Sequence, residues 1–188
     1  MNRQHLDLCG SDEWADVVRD HMLPWVLDGI DLGDDLLEIG PGPGRTTDDL
    51  RHRVARLTAV EIDDALASAL EARVGGPGVT VVQGDATDLP FPDGGFSAAI
   101  SCTMLHHVPS PALQDAVFAQ LARVVRPGGW VVGTDSLPSD ELAAFHDGDT
   151  YVSLDPDTLA GRLEDAGLVE VEVTTNEYAL RFRGRTPA

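Results

Sequence analysis

The sequence predicts an α/β fold built on a doubly wound, mostly parallel sheet, and three observations carry that expectation. Short apolar runs alternate with amphipathic stretches along most of the chain, the order in which strands and crossover helices follow one another. The first apolar run leads directly into a glycine-rich turn, Gly40-Pro-Gly-Pro-Gly44. The last two runs, Val169–Thr174 and Tyr178–Phe182, alternate with period two around Asn176-Glu177, which predicts a C-terminal antiparallel hairpin.

The elements follow in order. Trp14, Val17, Val18, Met22, Leu23, Trp25 and Val26 fall at helical spacing, so a helix is expected over Asp12–Leu27 with Ser11 or Asp12 as its cap. Leu36–Gly40 reads as a buried strand, followed by a helix from Arg45 to His52. Leu57–Ile62, Val79–Gln83, Phe96–Ser101 and Trp130–Thr134 read as the next four strands, with a helix over Asp63–Val74 between the first two of these. Leu113, Val117, Leu121 and Val124 mark a helix over Pro111–Val125, stopped by Pro127-Gly128-Gly129. A last helix is expected over Asp157–Ala166, with Gly167 just past its end. No repeat or linker interrupts this order. The expectation is therefore one domain over 1–188, with residues 1–30 as an N-terminal helical cap segment and 31–188 as the core.

Length and composition fit that reading. A chain of 188 residues and 20.0 kDa buries roughly 70% of its unfolded surface, enough for a core without metal or disulfide staples. Thirty-two Asp and Glu oppose 13 basic residues, all of them Arg, for a net charge of −19. A field of that sign repels phosphate backbones and anionic lipid surfaces, so neither nucleic acid nor a membrane is the expected partner. The stretch from Gly94 to Gln114 lacks Asp, Glu, Lys and Arg, but prolines and histidines break it, and it does not read as a membrane span. The first residues carry no apolar signal region, and two cysteines make no disulfide framework; a cytoplasmic location is expected.

Chemistry is expected at the carboxyl ends of the strands, where open α/β sheets bind ligands. Alternate glycines at Gly40, Gly42 and Gly44 let a backbone approach a ligand closely, and the helix start beyond them presents free N–H groups. Glu61 closes the second strand about twenty residues on, where a carboxylate can accept both hydroxyls of a ribose. Gly84-Asp85-Ala86 closes the third strand, where a carboxylate can accept from an adenine amino group, and Ser101-Cys102-Thr103 closes the fourth.

These motifs resemble those of class I S-adenosylmethionine-dependent methyltransferases of the small, single-domain kind that act on small molecules. Glu38–Gly44 is similar to the family's glycine-rich first motif, Val60-Glu61-Ile62-Asp63 to its second strand end, and Gly84-Asp85-Ala86 with Leu89-Pro90-Phe91 to its adenine segment. Phe96–His107 and Leu121–Gly129 complete the likeness, which covers Leu36 to Val132. It implies a Rossmann-like fold, S-adenosyl-L-methionine as cofactor and S-adenosyl-L-homocysteine as product. It also implies that Gly40, Pro41, Gly42 and Gly44 lie against the methionine and ribose portion, with Glu38 organising the amino end. Glu61 would hold the ribose hydroxyls, Ile62 would pack on the adenine, and Asp85 and the Ala86 backbone would meet the adenine edge. The Ser101 backbone would meet the cofactor's amino group. Glu61 stands where the family often has Asp, which keeps the carboxylate with one more methylene of reach.

No general base is dictated. His106 and His107 are the catalytic candidates, but adjacent histidines are not expected to point at one site, and nothing near them has metal-ligand spacing, so no metal is expected. His5, Asp7 and Trp14 are further candidates for substrate contact, Cys102 for inert packing beside the site, and Pro138–Leu154, with Phe145, His146 and Tyr151, for a lid. A nicotinamide-dependent oxidoreductase also uses a glycine turn and a later acidic residue, but Arg45 stands where that fingerprint wants a third Gly or Ala. A non-catalytic S-adenosylmethionine-binding protein is the other alternative.

Overall fold

The computed structural model describes residues 2–188, and among them seven strands form one sheet in the order β3-β2-β1-β4-β5-β7-β6. The strands are β1 Asp35–Ile39, β2 Arg56–Glu61, β3 Val79–Gln83, β4 Phe96–Cys102, β5 Val125–Ser136, β6 Val169–Thr175 and β7 Ala179–Arg185. The first five run parallel, and β7 lies antiparallel between β5 and β6. The strand order reverses between β1 and β4, so the carboxyl ends of these two strands flank the crevice where a ligand is expected. Sheet and hairpin agree with the sequence.

Every residue of β4 is buried, as a central parallel strand covered on both faces must be. Helices α4 Arg45–Leu50, α5 Asp64–Val74, α6 Pro111–Val124 and α8 Pro156–Asp165 cover the sheet close to their expected bounds. Ser110 and Asp63 cap α6 and α5 by accepting backbone N–H groups of the first turn. The expected N-terminal helix is present in three parts: α2 Asp12–Val17, a π-helical turn Val18–Met22, and α3 Leu23–Val26. Pro24 lacks an N–H, and the wider turn lies directly before it.

Three features differ from expectation. A short helix α1, Arg3–Cys9, precedes the amphipathic one, capped by the Asn2 side chain. Another, α7 Asp140–Phe145, lies inside the stretch read as a lid. Strand β5 begins at Val125 rather than Trp130: Phe96 pairs with Val125 and Ala98 with Trp130, so Arg126–Gly129 bulges between the two pairs.

Gly133 is fixed by packing. A Cβ there would lie 2.4 Å from the Ser101 carbonyl oxygen and 2.4 Å from Phe182 Cζ. Gly133→Ala is therefore expected to cost about 1–3 kcal/mol through overpacking. The urea midpoint at pH 7 measures it, and an unchanged midpoint would contradict this register of β4, β5 and β7.

Candidate functional site

The glycine turn leaves β1 with left-handed backbone at Gly40 (φ 62°) and Gly42 (φ 54°), a conformation costly for other residues. Two bonds set its course. Gly40 N–H donates to the Val60 carbonyl at 2.8 Å, and Gly42 N–H donates to Glu61 Oε2 at 2.9 Å. Glu61 Oε1 accepts the Asp63 N–H at 3.0 Å, so this buried carboxylate latches the turn to the end of β2. Each oxygen keeps a second lone pair.

Glu38 lies beneath the turn, fully buried, and accepts hydrogen bonds from the hydroxyls of Thr46 and Thr47. Burial pushes its carboxyl up from 4.5 to about 7, against the pull of the two hydroxyls. Gly44, at φ 86°, closes the turn against α5, where a Cβ would meet Leu70 Cδ1 at 2.3 Å.

Two clefts meet at Gly40. One is lined by Cys9, Trp14, Gly40–Pro43, Arg45, Thr46, Cys102 and Thr103. The other, about 220 Å³, runs between Ile62, Gly84–Thr87, Met104, His107, Val108 and Leu113. The expected residues Gly40, Pro41, Gly42, Ile62, Asp85 and Ala86 all lie on these walls. Ile62 leaves 64% of its surface open there, unusual for a large apolar side chain beside a core. Asp85 Oδ1 accepts from the Thr87 N–H and hydroxyl, both at 2.8 Å, while Oδ2 has no protein donor among the described residues. An apolar slot with an unpaired carboxylate oxygen at its rim fits an adenine ring and its amino group.

Ser101 is fully buried. Its backbone is in ladder register with Ile39 and Gly133, and Cys102 and Thr103, next along the chain, line the cleft. Thr103 takes positive φ (50°) and donates its N–H to the Thr134 carbonyl at 2.8 Å. Burial pushes the Cys102 thiol up, so it is inert packing beside the turn.

The N-terminal segment covers the glycine turn. Arg45 donates from Nε to the Gly10 carbonyl at 3.1 Å and pairs with Asp12 at 3.0 Å, so the residue in the third-glycine position of a dinucleotide fingerprint ties down the cap. Trp14 lines the turn's cleft and also a third cavity of about 350 Å³, which Val17, His21, Met22, Trp25, Thr103, Ser136, Asn176 and Tyr178 complete. Asp7 is not brought to the site: it is exposed, 3.9 Å from Arg3.

The expectation that His106 and His107 point apart is overturned. They sit on a 3₁₀ turn, Leu105–His107, with ring centroids 4.2 Å apart, and His5 and His146 join them. His106 Nδ1 lies 2.6 Å from Asp135 Oδ1, a buried partner that no local spacing signals. Tyr151 stacks on His146, and the Val152 N–H donates to the His106 carbonyl at 2.7 Å, which pins the stretch read as a lid.

Comparison with known proteins agrees with this geometry. Over 112 residues the chain is 35% identical to a fatty-acid O-methyltransferase of Mycolicibacterium smegmatis, covering 58% of this chain and 40% of the relative. It is 32% identical to a phthiotriol/phenolphthiotriol dimycocerosates methyltransferase of Mycobacterium ulcerans, covering 60% and 41%. The chain thus spans about two fifths of the length of these relatives. A SAM-dependent methyltransferase of Aquifex aeolicus superposes over 98% of both chains with a TM-score of 0.76 at 16% identity, a likeness of fold. A match to the methyltransferase domain family covers residues 37–133, the span from β1 through the glycine turn into β5, which supplies every lining residue of the two clefts named above except Cys9 and Trp14. With its motifs and its sheet order in place, the chain belongs to the methyltransferase domain family, of the class I S-adenosylmethionine-dependent type.

Proposed function

We propose that the chain transfers a methyl group from S-adenosylmethionine to a small, largely apolar acceptor held in the 350 Å³ cavity between the N-terminal helix and the C-terminal hairpin. One observation carries this reading: Trp14 and Thr103 line both this cavity and the glycine-turn cleft, so the two compartments share a wall. When bound, the cofactor supplies an activated methyl on a sulfonium and leaves as S-adenosylhomocysteine.

The chain's residues bind and orient. Ile62, Asp85 and Ala86 would hold the adenine, Glu61 the ribose, and Gly40–Gly42 with Cys102 and Thr103 the methionine portion. Trp14, Met22 and Trp25 would exclude water and fix the acceptor, and such positioning accounts for most of the acceleration that methyl transfer needs. In a chain with 32 acidic residues, none lines this cavity, which favours an apolar acceptor over a cationic one. The lipid named for the Mycolicibacterium relative is of the same chemical kind.

The test incubates the protein with deuteromethyl S-adenosylmethionine and a panel of fatty acids and phenols, following S-adenosylhomocysteine by mass spectrometry. Acceptor-dependent product formation is expected. Tyr178→Ala, at the exposed mouth of the cavity, is expected to raise the acceptor KM about tenfold, a loss of about 1.4 kcal/mol, without changing cofactor affinity. Binding without turnover on any acceptor would leave a non-catalytic binding protein. Thermal stabilisation by NAD and not by S-adenosylhomocysteine would overturn the cofactor assignment.

A further inference from the structure

Four imidazoles from distant parts of the sequence converge on one buried point. His5 comes from α1, His106 and His107 from the turn after β4, and His146 from the end of α7. One ring nitrogen of each lies within 4.8 Å of those of the other three. His5, His106 and His146 are 7%, 3% and 2% exposed. His5 Nδ1 and the Nε2 atoms of His106, His107 and His146 are buried without a hydrogen-bond partner among the described residues. Four orphaned ring nitrogens in one place are costly in a folded core, where buried polar atoms are ordinarily satisfied.

The outward-facing nitrogens explain which way the lone pairs point. His146 Nδ1 is 2.7 Å from the Leu142 carbonyl, which can only accept, so Nδ1 carries a proton and the neutral tautomer presents its Nε2 lone pair inward. His106 Nδ1 faces Asp135 Oδ1 at 2.6 Å, leaving its Nε2 in the same state. A carboxylate or carbonyl behind the ligating imidazole is the arrangement that orients histidines at metal centres.

We propose that His5, His106, His107 and His146 form a site for one divalent cation of the zinc class, which pins α1 and the end of α7 to the turn after β4. Four nitrogen donors without a carboxylate or thiolate suit zinc, cobalt, nickel or copper rather than magnesium or calcium. A tetrahedral site with metal–nitrogen bonds of 2.0–2.1 Å sets its nitrogens about 3.4 Å apart, so the rings close inward on the ion. His107 also lines the apolar cleft, so the cation stands directly behind the wall assigned to the adenosine. The N-terminal segment is already bonded to the same region: Asn2 donates from its backbone N–H to Asp149 Oδ2 at 2.7 Å and from its amide to the Phe145 carbonyl at 2.9 Å. The site stands apart from methyl transfer and holds whichever acceptor is used.

Tag-free, chelator-stripped protein titrated with Co²⁺ tests this directly. A single equivalent is expected to give the visible ligand-field absorption of a four-coordinate, nitrogen-ligated ion, and one equivalent of Zn²⁺ is expected to abolish it. Zn²⁺ is also expected to raise the melting temperature. His5→Gln and His146→Gln should each weaken Zn²⁺ binding about 100-fold by calorimetry, whereas His52→Gln, at an exposed position, should not. Circular dichroism of the stripped variants separates lost ligation from lost fold. The wild-type cobalt spectrum decides without any variant: stripped protein that takes up no stoichiometric Co²⁺ or Zn²⁺, or binding that persists in both His5→Gln and His146→Gln, shows a cluster of packed neutral imidazoles and overturns the proposal.

Discussion

Glu61→Ala is expected to weaken S-adenosylmethionine binding about 100-fold. Two effects combine. The carboxylate is the acceptor proposed for the ribose hydroxyls, and charge-assisted bonds of that kind contribute about 1.5–3 kcal/mol each. It also receives the Gly42 and Asp63 N–H groups, so its loss leaves the glycine turn without its latch to β2. Glu61→Gln should recover only part of the affinity, because one of its two acceptor oxygens becomes a donor facing a backbone N–H. Asp85→Ala should cost nearer tenfold, since Asp85 is exposed and water replaces much of what it offers. Calorimetric titration of the three variants orders them. Parental affinity in both alanine variants would remove the cofactor from these strand ends.

The second large effect is a pH dependence of stability centred on Glu38. Its carboxyl titrates near 4.5 when unfolded and near 7 when buried in the fold, so between these values the native state holds a proton that the unfolded state has released. The contribution is fully present below pH 4.5 and is lost as the pH rises through 7. The separation corresponds to roughly 3 kcal/mol. Glu38→Gln has no proton to lose and is expected to be flat in this respect. Urea denaturation at intervals from pH 4.5 to 8 should therefore show the parent losing stability relative to the variant as pH rises. A parent and variant that stay parallel across the range would show that Glu38 is ionised throughout and that the Thr46 and Thr47 hydroxyls outweigh its burial.

The sequence made the sheet legible where one residue type served one purpose. Val79–Gln83 alternates and is bounded by glycines, and it forms β3 over those same residues. The glycine turn announced itself because left-handed backbone so strongly favours glycine. Arg3–Cys9 and Asp140–Phe145 were hidden because each is a helix of two turns or fewer without an apolar stripe. Asp135 was hidden for a different reason. A charged residue after Trp130–Thr134 reads as the end of a strand, yet it is fully buried, accepting from the His106 N–H, the His106 ring and the Ser136 N–H. The histidine cluster could not be found by spacing at all, since the sheet's crossings bring together residues 5, 106, 107 and 146. Strand β4 runs one residue past its expected end, through Cys102, before the chain turns.

The insertion of β7 between β5 and β6 fixes when the fold can close during synthesis. Arg181 donates to the Trp25 carbonyl at 2.7 Å and lies over the Trp25 ring, and Arg183 reaches the Asp28 carbonyl at 3.2 Å. The N-terminal helix thus receives part of its anchorage from residues translated more than 150 positions later. Until Arg185 has left the ribosome, β5 presents an unpaired edge and the apolar face of Trp14, Met22 and Trp25 has no hairpin opposite it. Folding of the five parallel strands can proceed before that point, with Val18, Leu23 and Val26 of the N-terminal helix packed on Leu36, Ile100 and Val132, but the edge of β5 and the Trp25 and Asp28 carbonyls wait for β7 to be made.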